Sequence, residues 1–492
     1  MKNVRFVKFL IGKHQMTQLE NEHKMYCKNR ADHWSGLVNR QSGLLSIFYH
    51  RRLTEIYRHV TGECDSILDL GCGQGKLLNA LNPKLGVGVD ISAQMIEAAR
   101  NRNPKYQFFC SDIQTCDLGD SMFDVIIFSD VLNDLWDVQT TLTHVKKYCN
   151  GHTRVIFNIQ SHLWEYPRRL AEHYQVVTPN LPQNWLTPVD IDNLARLSGY
   201  DLVQHWEEML CPAPIPFVAT FCNRFLVKMP FFRLAALTNF YIMRPVESAP
   251  ISADPSVSVV IAARNEAGHI TELLNRIPKM GSRTEIIFVE GNSTDDTFNM
   301  IKNAISNLPP ADYRLIKQPG KGKGDAVRAG FKIATGDILM ILDADITVPP
   351  EDLPRFYAVL TSGLGEFANG VRLVYPMQDG AMRFFNLLGN KFFSWVFSWL
   401  LGQPIRDTLC GTKVLWASDY RRIAAGRSYF GDFDPFGDFD LLFGASRQHL
   451  KIMEVPIRYQ TRRYGETNIQ RWRHGWLLLR MVAFAARLLK FK

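Results

Sequence analysis

No Cys-x-x-Cys occurs in this chain, and its nine cysteines keep no paired or regular spacing. That excludes a disulfide-stapled secreted scaffold and a structural zinc site, and it predicts free thiols in a reducing, cytosolic compartment. Long apolar runs are missing too. No uncharged apolar stretch reaches about 18 residues, so no membrane-spanning helix is expected. The basic start, MKNVRFVKFLIGKHQ, has an apolar part too short and too broken by charge for a signal peptide. Acids are scarce at the other end. Between Arg447 and Lys492 there are eleven Lys and Arg against two acids, Glu454 and Glu466. Such a tail suits an anionic membrane surface or a phosphorylated lipid. Nucleic acid could exploit the same charge but is not the expected partner.

What remains is a globular composition: 492 residues, 46% hydrophobic, 21% charged, with a formal net charge of +9. That is too long for one core and about right for two or three domains. Residues 1–45 are polar and read as an irregular arm with short helices, followed by a helix over Arg51–Val60. A Pro- and Ser-rich stretch without periodicity, PVESAPISADPS, marks a linker. The expected domains are residues 1–246 (core about 46–210) and 257–492, joined by 247–256.

The second half is organised around Gly336–Pro350, GDILMILDADITVPP. Ile338–Leu342 has the length and branching of a buried strand. It ends in Asp343 and Asp345, and residues two apart share a side of a strand, so both carboxylates can aim at one point beyond its end. Carboxylates so placed repel unless a cation lies between them, and Mg²⁺ or Mn²⁺ is the natural occupant, with positions left for a nucleotide's phosphates. An acidic turn after a core strand is the competing reading, and Asp-x-Asp alone does not separate the two.

In the first half, SILDLGCGQGKLLNAL supplies a strand, Ile67–Leu70, then glycines at 71, 73 and 75 and a helix from about Lys76. Glycines there let a ligand approach a helix N-terminus. A dinucleotide fingerprint would need a further glycine where Lys76 stands. Later strands end in acids: GVGVD at Asp90, and YQFFC just before Ser111, Asp112 and Ile113. FDVIIFSD closes the set at Asp130. The pattern Asp-x-Gly-x-Gly-x-Gly from Asp69 resembles motif I of class I S-adenosylmethionine-dependent methyltransferases. That resemblance implies a cofactor site of Asp69, Gly71, Gly73, Gly75, Asp90, Ile91, Asp112 and Ile113, with Asp90 on the ribose hydroxyls and Asp112 against the adenine amine. Methyl transfer needs mainly alignment of nucleophile and methyl group. His152, His162 and Asp134 lie in plausible regions for a base, and none is assigned.

The segments VSVVIAARNEAGHI, EIIFVEGNSTDDT and GKGKGDAVRAGF, followed by Asp-Ala-Asp, resemble family 2 glycosyltransferases of the GT-A fold. NGVR (Asn369–Arg372), DTLCGTK (Asp407–Lys413), GDFDLL (Gly437–Leu442) and RRYGETN (Arg462–Asn468) are most similar to the dolichol-phosphate mannose or glucose synthase type. The expected fold class is therefore α/β, with two Rossmann-like domains. The resemblance implies a nucleotide-sugar held by Ala262, Arg264, Glu266, Glu290, Lys321, Lys323 and Asp325, with the metal on Asp343 and Asp345. It also implies an acceptor phosphate gripped by Arg372 and Arg462; Arg383 joins them on proximity in sequence. Arg264, Glu290 and Thr347 depart from the residues usual at their positions. Of the acids late in the domain, Asp407, Asp438 and Asp440 could serve as a base or simply bind neighbouring arginines.

Two helices carry stripes. Along 384–401, Asn386, Asn390, Ser394 and Ser398 fall four apart on an otherwise aromatic helix, which is read as lying in a membrane interface rather than in the core. Arg473, Arg480 and Arg487, seven apart, put a basic stripe on the last helix. The expectation is a bifunctional transferase, peripheral on the cytoplasmic face of a membrane. It would move a sugar, with inversion, from a nucleotide-sugar to a polyprenyl phosphate, and a methyl group from S-adenosylmethionine to an unknown acceptor. The alternatives are a glycan hydroxyl as the sugar acceptor, or one domain as a non-catalytic anchoring module.

Overall fold

A computed structural model describes residues 20–38, 43–174, 177, 181–246, 254–372, 384–427, 439–457, 459–460 and 471–491. The chain divides into two compact units, Met1–Val246 and Glu247–Lys492. Each is built on a seven-stranded, mainly parallel sheet.

In the first unit the strands are β1 (Ser66–Leu70), β2 (Leu85–Asp90), β3 (Gln107–Cys110), β4 (Phe123–Ser129), β5 (Cys149–Gln160), β6 (Tyr200–Glu208) and β7 (Thr238–Pro245). Their order is β3-β2-β1-β4-β5-β7-β6, and only β7 runs antiparallel to its neighbours. β1 and β4 are almost wholly apolar because helices cover both faces of a parallel sheet. Each face has its own core, one around Phe128, Phe157 and Tyr148, the other around Tyr57, Ile127 and Phe240. The chain reverses direction across the sheet between β1 and β4. That is the crevice where doubly wound folds bind ligands, outside the carboxyl ends of the strands.

The second unit repeats the logic with β8 (Val257–Ala263), β9 (Thr284–Glu290), β10 (Tyr313–Lys317), β11 (Ile338–Asp343), β12 (Phe367–Val371), β13 (Lys413–Trp416) and β14 (Ile452–Pro456). The order is β10-β9-β8-β11-β13-β12-β14, with β13 antiparallel to both neighbours. Its switch point lies between β8 and β11, where Asp343 pairs in register with Ala262.

Two expectations need correction. The polar arm holds a continuous helix over 20–36 rather than short helices. It is bound by polar contacts: Arg30 pairs with Asp134 at 2.9 Å, and the Ser35 and Ser92 hydroxyls meet at 2.8 Å. The stripe on Phe384–Leu401 also points differently. Ser394 and Ser398 both donate to the Ile405 carbonyl, at 2.6 and 3.0 Å. Phe393, Phe397, Leu400 and Leu401 are buried in the core, while Phe392 and Trp395 face outward. The side chains of Asn386, Asn390 and Arg473 fall outside what is described. No helix among the described residues is long and apolar enough to cross a membrane.

Candidate active sites in the two units

In the first unit β1 delivers the chain into Gly71, Gly73 and Gly75, all with left-handed φ. A Cβ on Gly71 would collide with Val131, whereas one on Gly73 would meet nothing within 4 Å. The loop is thus packed beneath and open above, so a ligand can reach its backbone. Asp90, at the end of β2, accepts the Gly73 N–H at 2.8 Å and the Ser92 N–H at 2.9 Å. It therefore holds the glycine loop in place as well as facing the crevice.

Asp69 lies beneath the loop, 1% exposed, and neither carboxylate oxygen has a hydrogen-bond partner. Burial, with the nearby Asp90 charge, pushes its carboxyl up to about 7. An unpartnered buried carboxylate calls for a cation or a donor. S-adenosylmethionine brings an ammonium and a sulfonium, so the residues present fit this cofactor. In the unliganded fold Asp69 keeps its proton to higher pH than in the unfolded chain. Stability therefore falls as pH rises from about 4 to about 7. A cationic ligand beside Asp69 favours the ionised form, so binding below about pH 7 releases a proton. Cofactor affinity is expected to rise by up to about tenfold per pH unit to pH 7, then level off. Asp69→Asn should bind weakly and without that slope. Calorimetry of the full chain across pH checks this, and an unchanged slope in the variant contradicts it.

Asp112 follows β3 as expected, but helix 20–36 reaches it: His23 Nε2 lies 3.1 Å and Cys27 Sγ 3.6 Å from Asp112 Oδ2. Burial and the Asp112 charge push the Cys27 thiol up to about 12, so it donates as a neutral thiol. Among the described residues these three form the one group of metal-ligating side chains within reach of each other. Ile113 is buried beside Asp112, and Ile91 is half-buried after Asp90. Asp134 is taken by Arg30 and Gln183, while His152 and His162 are exposed. The sequence reading gave no role to Asp130, which sits after β4 at φ 56° and accepts from Tyr49 at 2.8 Å and Asn158 at 2.5 Å. Its position at a strand's carboxyl end, like that of Asp90, was the available signal.

In the second unit β11 ends at Asp343, whose carboxylate is ion-paired with Lys323 at the start of helix Lys323–Ile333. Gly411 backs onto this pair: a Cβ there would collide with both charged groups. Asp345 accepts from the Thr347 hydroxyl at 2.7 Å and its N–H at 3.2 Å, so Thr347 orients Asp345. Between them Ile346 has φ 54°, a strained value for a β-branched residue and of the kind that gathers at functional sites. Asn265 and Asn292, after β8 and β9, share the left-handed conformation. Oxygen donors two residues apart suit Mg²⁺ or Mn²⁺, with remaining positions filled by phosphates or water.

Arg264 and Lys321 are exposed near these strand ends, and Ala262 is half-buried. Glu290 is buried and accepts the Ser293 N–H at 2.6 Å. Two residues expected on the nucleotide-sugar also make contacts within the protein. Glu266 turns inward to His269 at 2.9 Å. Asp325 accepts from the Gly320 N–H at 2.8 Å and from Gln318 at 3.1 Å, which fixes the glycine-lysine loop. Arg372 is engaged more tightly. Its Nε and Nη2 form a fork onto the fully buried Asp407, at 2.7 and 2.8 Å. Burial acts to strip the Arg372 proton, and the Asp407 carboxylate overrides it, so the pKa is raised and the charge kept. Two of the donors expected to grip a phosphate thus hold a neighbour. Asp440 is likewise taken by Arg427 at 3.2 Å and Arg328 at 3.8 Å. Arg383, Asp438 and Arg462 lie outside the described residues. Tyr459 was missed: the Arg372 guanidinium lies 5.1 Å from its ring centroid, and the adjacent Gln460 N–H donates to Thr347, linking the Arg372 and Asp345 loops.

Comparison with known proteins agrees with this division. The family model for glycosyl transferase family 2 matches residues 258–405, and that for a methyltransferase domain matches 67–151. The chain is 28% identical over 247 residues to a dolichol-phosphate mannosyltransferase of Pyrococcus furiosus, covering 48% of this chain and 67% of the relative. It is 32% identical over 222 residues to an undecaprenyl-phosphate 4-deoxy-4-formamido-L-arabinose transferase of an Enterobacter species, covering 44% and 63%. The chain therefore spans about two thirds of these relatives' length. A solved S-adenosylmethionine-dependent methyltransferase from Clostridium acetobutylicum aligns with 44% of this chain and 99% of its own at 16% identity, with a TM-score of 0.29. The chain thus joins a segment that matches the methyltransferase-domain model to one that matches the glycosyl transferase family 2 model, two transferase domains in one enzyme.

Proposed function

We propose that the second unit transfers a sugar from a nucleotide-sugar to a polyprenyl phosphate, with inversion, and that the first binds S-adenosylmethionine and methylates a glycan or glycolipid acceptor. The observation that carries the first part is the arrangement at the β8/β11 switch point: Asp343 and Asp345 follow a strand, and Asp343 is ion-paired with Lys323 at a helix N-terminus. A divalent cation held there would neutralise the leaving diphosphate. Lys323 and the helix N-terminus place further positive charge toward the phosphates. Thr347 fixes the Asp345 carboxylate through two hydrogen bonds.

The acceptor reading rests on what the late acids are doing. A sugar hydroxyl needs a carboxylate to take its proton. Asp407 is locked in a fork with Arg372, and Asp440 lies between two arginines, so neither is set to do so. A phosphate monoester, with a second pKa of about 6, is already a nucleophile at neutral pH. The relatives' names, both of polyprenyl- or dolichol-phosphate transferases, support the same reading. Sugar transfer assayed with and without EDTA tests the carboxylate site. The expected result is loss of turnover, restored by Mg²⁺ or Mn²⁺; full activity under chelation overturns it.

The membrane side of the proposal rests on helix Arg471–Leu489, which buries Leu478, Met481 and Ala485 and turns Trp476, Leu479, Arg480 and Arg487 outward. Apolar bulk with interleaved arginine suits an anionic interface, here the cytoplasmic face. Flotation with phosphatidylglycerol vesicles should weaken several-fold when Arg480 and Arg487 become Glu, and also as salt rises, because the attraction is screened. Salt-independent flotation unaffected by the substitutions contradicts this placement.

A further inference from the structure

A second surface of this kind lies on the methyltransferase unit. From Met209 to Val246 the sequence has no Asp or Glu, and Ile215–Ala235 alone carries five Phe and three cations. This segment joins β6 to β7 through helix Val218–Arg224 and two short turns. Its polarity is reversed. Asn223 is buried and exchanges two 2.8 Å hydrogen bonds with the Cys211 backbone, and Lys228 pairs inward with Glu208. The aromatic side chains face out. Phe217 is 90% and Phe231 87% exposed, and Phe221, Phe225, Phe232 and Leu234 are exposed beside them. Phe217 is held at φ 61°, a conformation costly for a bulky residue, which keeps the ring outside the fold. A soluble surface does not gather so large an apolar patch without an occupant.

Topology places the patch. Glu208 at the end of β6 pairs with Thr238 at the start of β7, and Thr238 pairs with Gln160 at the carboxyl end of β5. The segment thus emerges at the same sheet edge as the glycine loop and Asp90. Trp164 donates to the Ala235 carbonyl at 3.0 Å, so the turn leading into helix Glu165–His173 abuts it. That neighbour adds exposed Leu163, Tyr166 and Leu170. Arg224 and Arg233 are exposed among the rings, Arg233 within 3.9 Å of Glu207 at the edge of the segment, and the segment itself is net positive.

We infer that residues 215–235 dock on an anionic lipid bilayer and present the cofactor edge of the methyltransferase unit to it, so that the methyl acceptor is a lipid-anchored molecule. Aromatics that seat at headgroup depth, with arginines for anionic lipid, are the chemistry of an interfacial element. This extends the peripheral-membrane reading above to the other half of the chain.

Hydrogen exchange of the full chain, with and without phosphatidylglycerol vesicles, tests it. Residues 215–235 should exchange several-fold more slowly with vesicles, and the Phe217→Ser, Phe231→Ser double variant should lose that protection while 476–487 keep theirs. If 476–487 are protected and 215–235 are not, the inference fails and the placement of the glycosyltransferase half stands. If neither segment responds, both fail. If 215–235 slow with protein concentration in the absence of vesicles, the occupant is a second copy of this chain, and the lipid surface is ruled out.

Discussion

Asp343→Asn or Asp345→Asn is expected to lower sugar transfer by at least about 10²–10³-fold while the fold survives, because each change removes charge where the leaving diphosphate develops its own. Structure should persist for local reasons. Asn can still accept from Thr347 at position 345. At 343 the partner Lys323 is only half-buried and can turn to water. Initial rates with saturating donor, together with unfolding midpoints, separate the two effects. Near-normal turnover in either variant would make the acidic turn merely structural. A collapse in stability would assign the loss to folding.

Asp407→Ala should act the other way, on stability first. It strips the partner from a buried arginine, and breaking a buried pair from one side costs about 3–5 kcal/mol. The N–H groups of Arg372 and Leu409, which also donate to Asp407, lose their acceptor at the same stroke. Denaturant unfolding should show an early transition of the glycosyltransferase unit, with the methyltransferase transition unmoved. Combining Asp407→Ala with Arg372→Met should recover part of the loss, since no charge is then left unpaired. If Asp407→Ala is instead fully stable but inactive, Asp407 is a base, and the acceptor is a hydroxyl.

The strands and their acidic ends were legible because they depend on local pattern. Apolar runs closing in Asp90 and Asp130, and in the second unit in Asp343, announce parallel strands whose carboxyl ends share one edge within each sheet, and the glycines at 71, 73 and 75 announce the turn above Asp69. Pairings across distance were not legible. Nothing near Arg372 reveals that Asp407, thirty-five residues later, claims its fork. The stripe of Ser394 and Ser398 shows that they share a helix face, but periodicity does not say whether that face meets lipid, water or a loop. Helix 20–36 escaped for a related reason. It is held by Arg30, Tyr26 and Ser35 through polar contacts, so it lacks the apolar period by which helices are read.

Mass spectrometry of the lipid products formed from polyprenyl phosphate and a panel of nucleotide-sugars, with Mg²⁺ or Mn²⁺ present, bears on the proposed reaction most directly. A polyprenyl phosphate heavier by one sugar residue, absent with Asp343→Asn and after chelation, is the expected product. Sugar appearing on a glycan hydroxyl, with the lipid phosphate left unmodified, would contradict it.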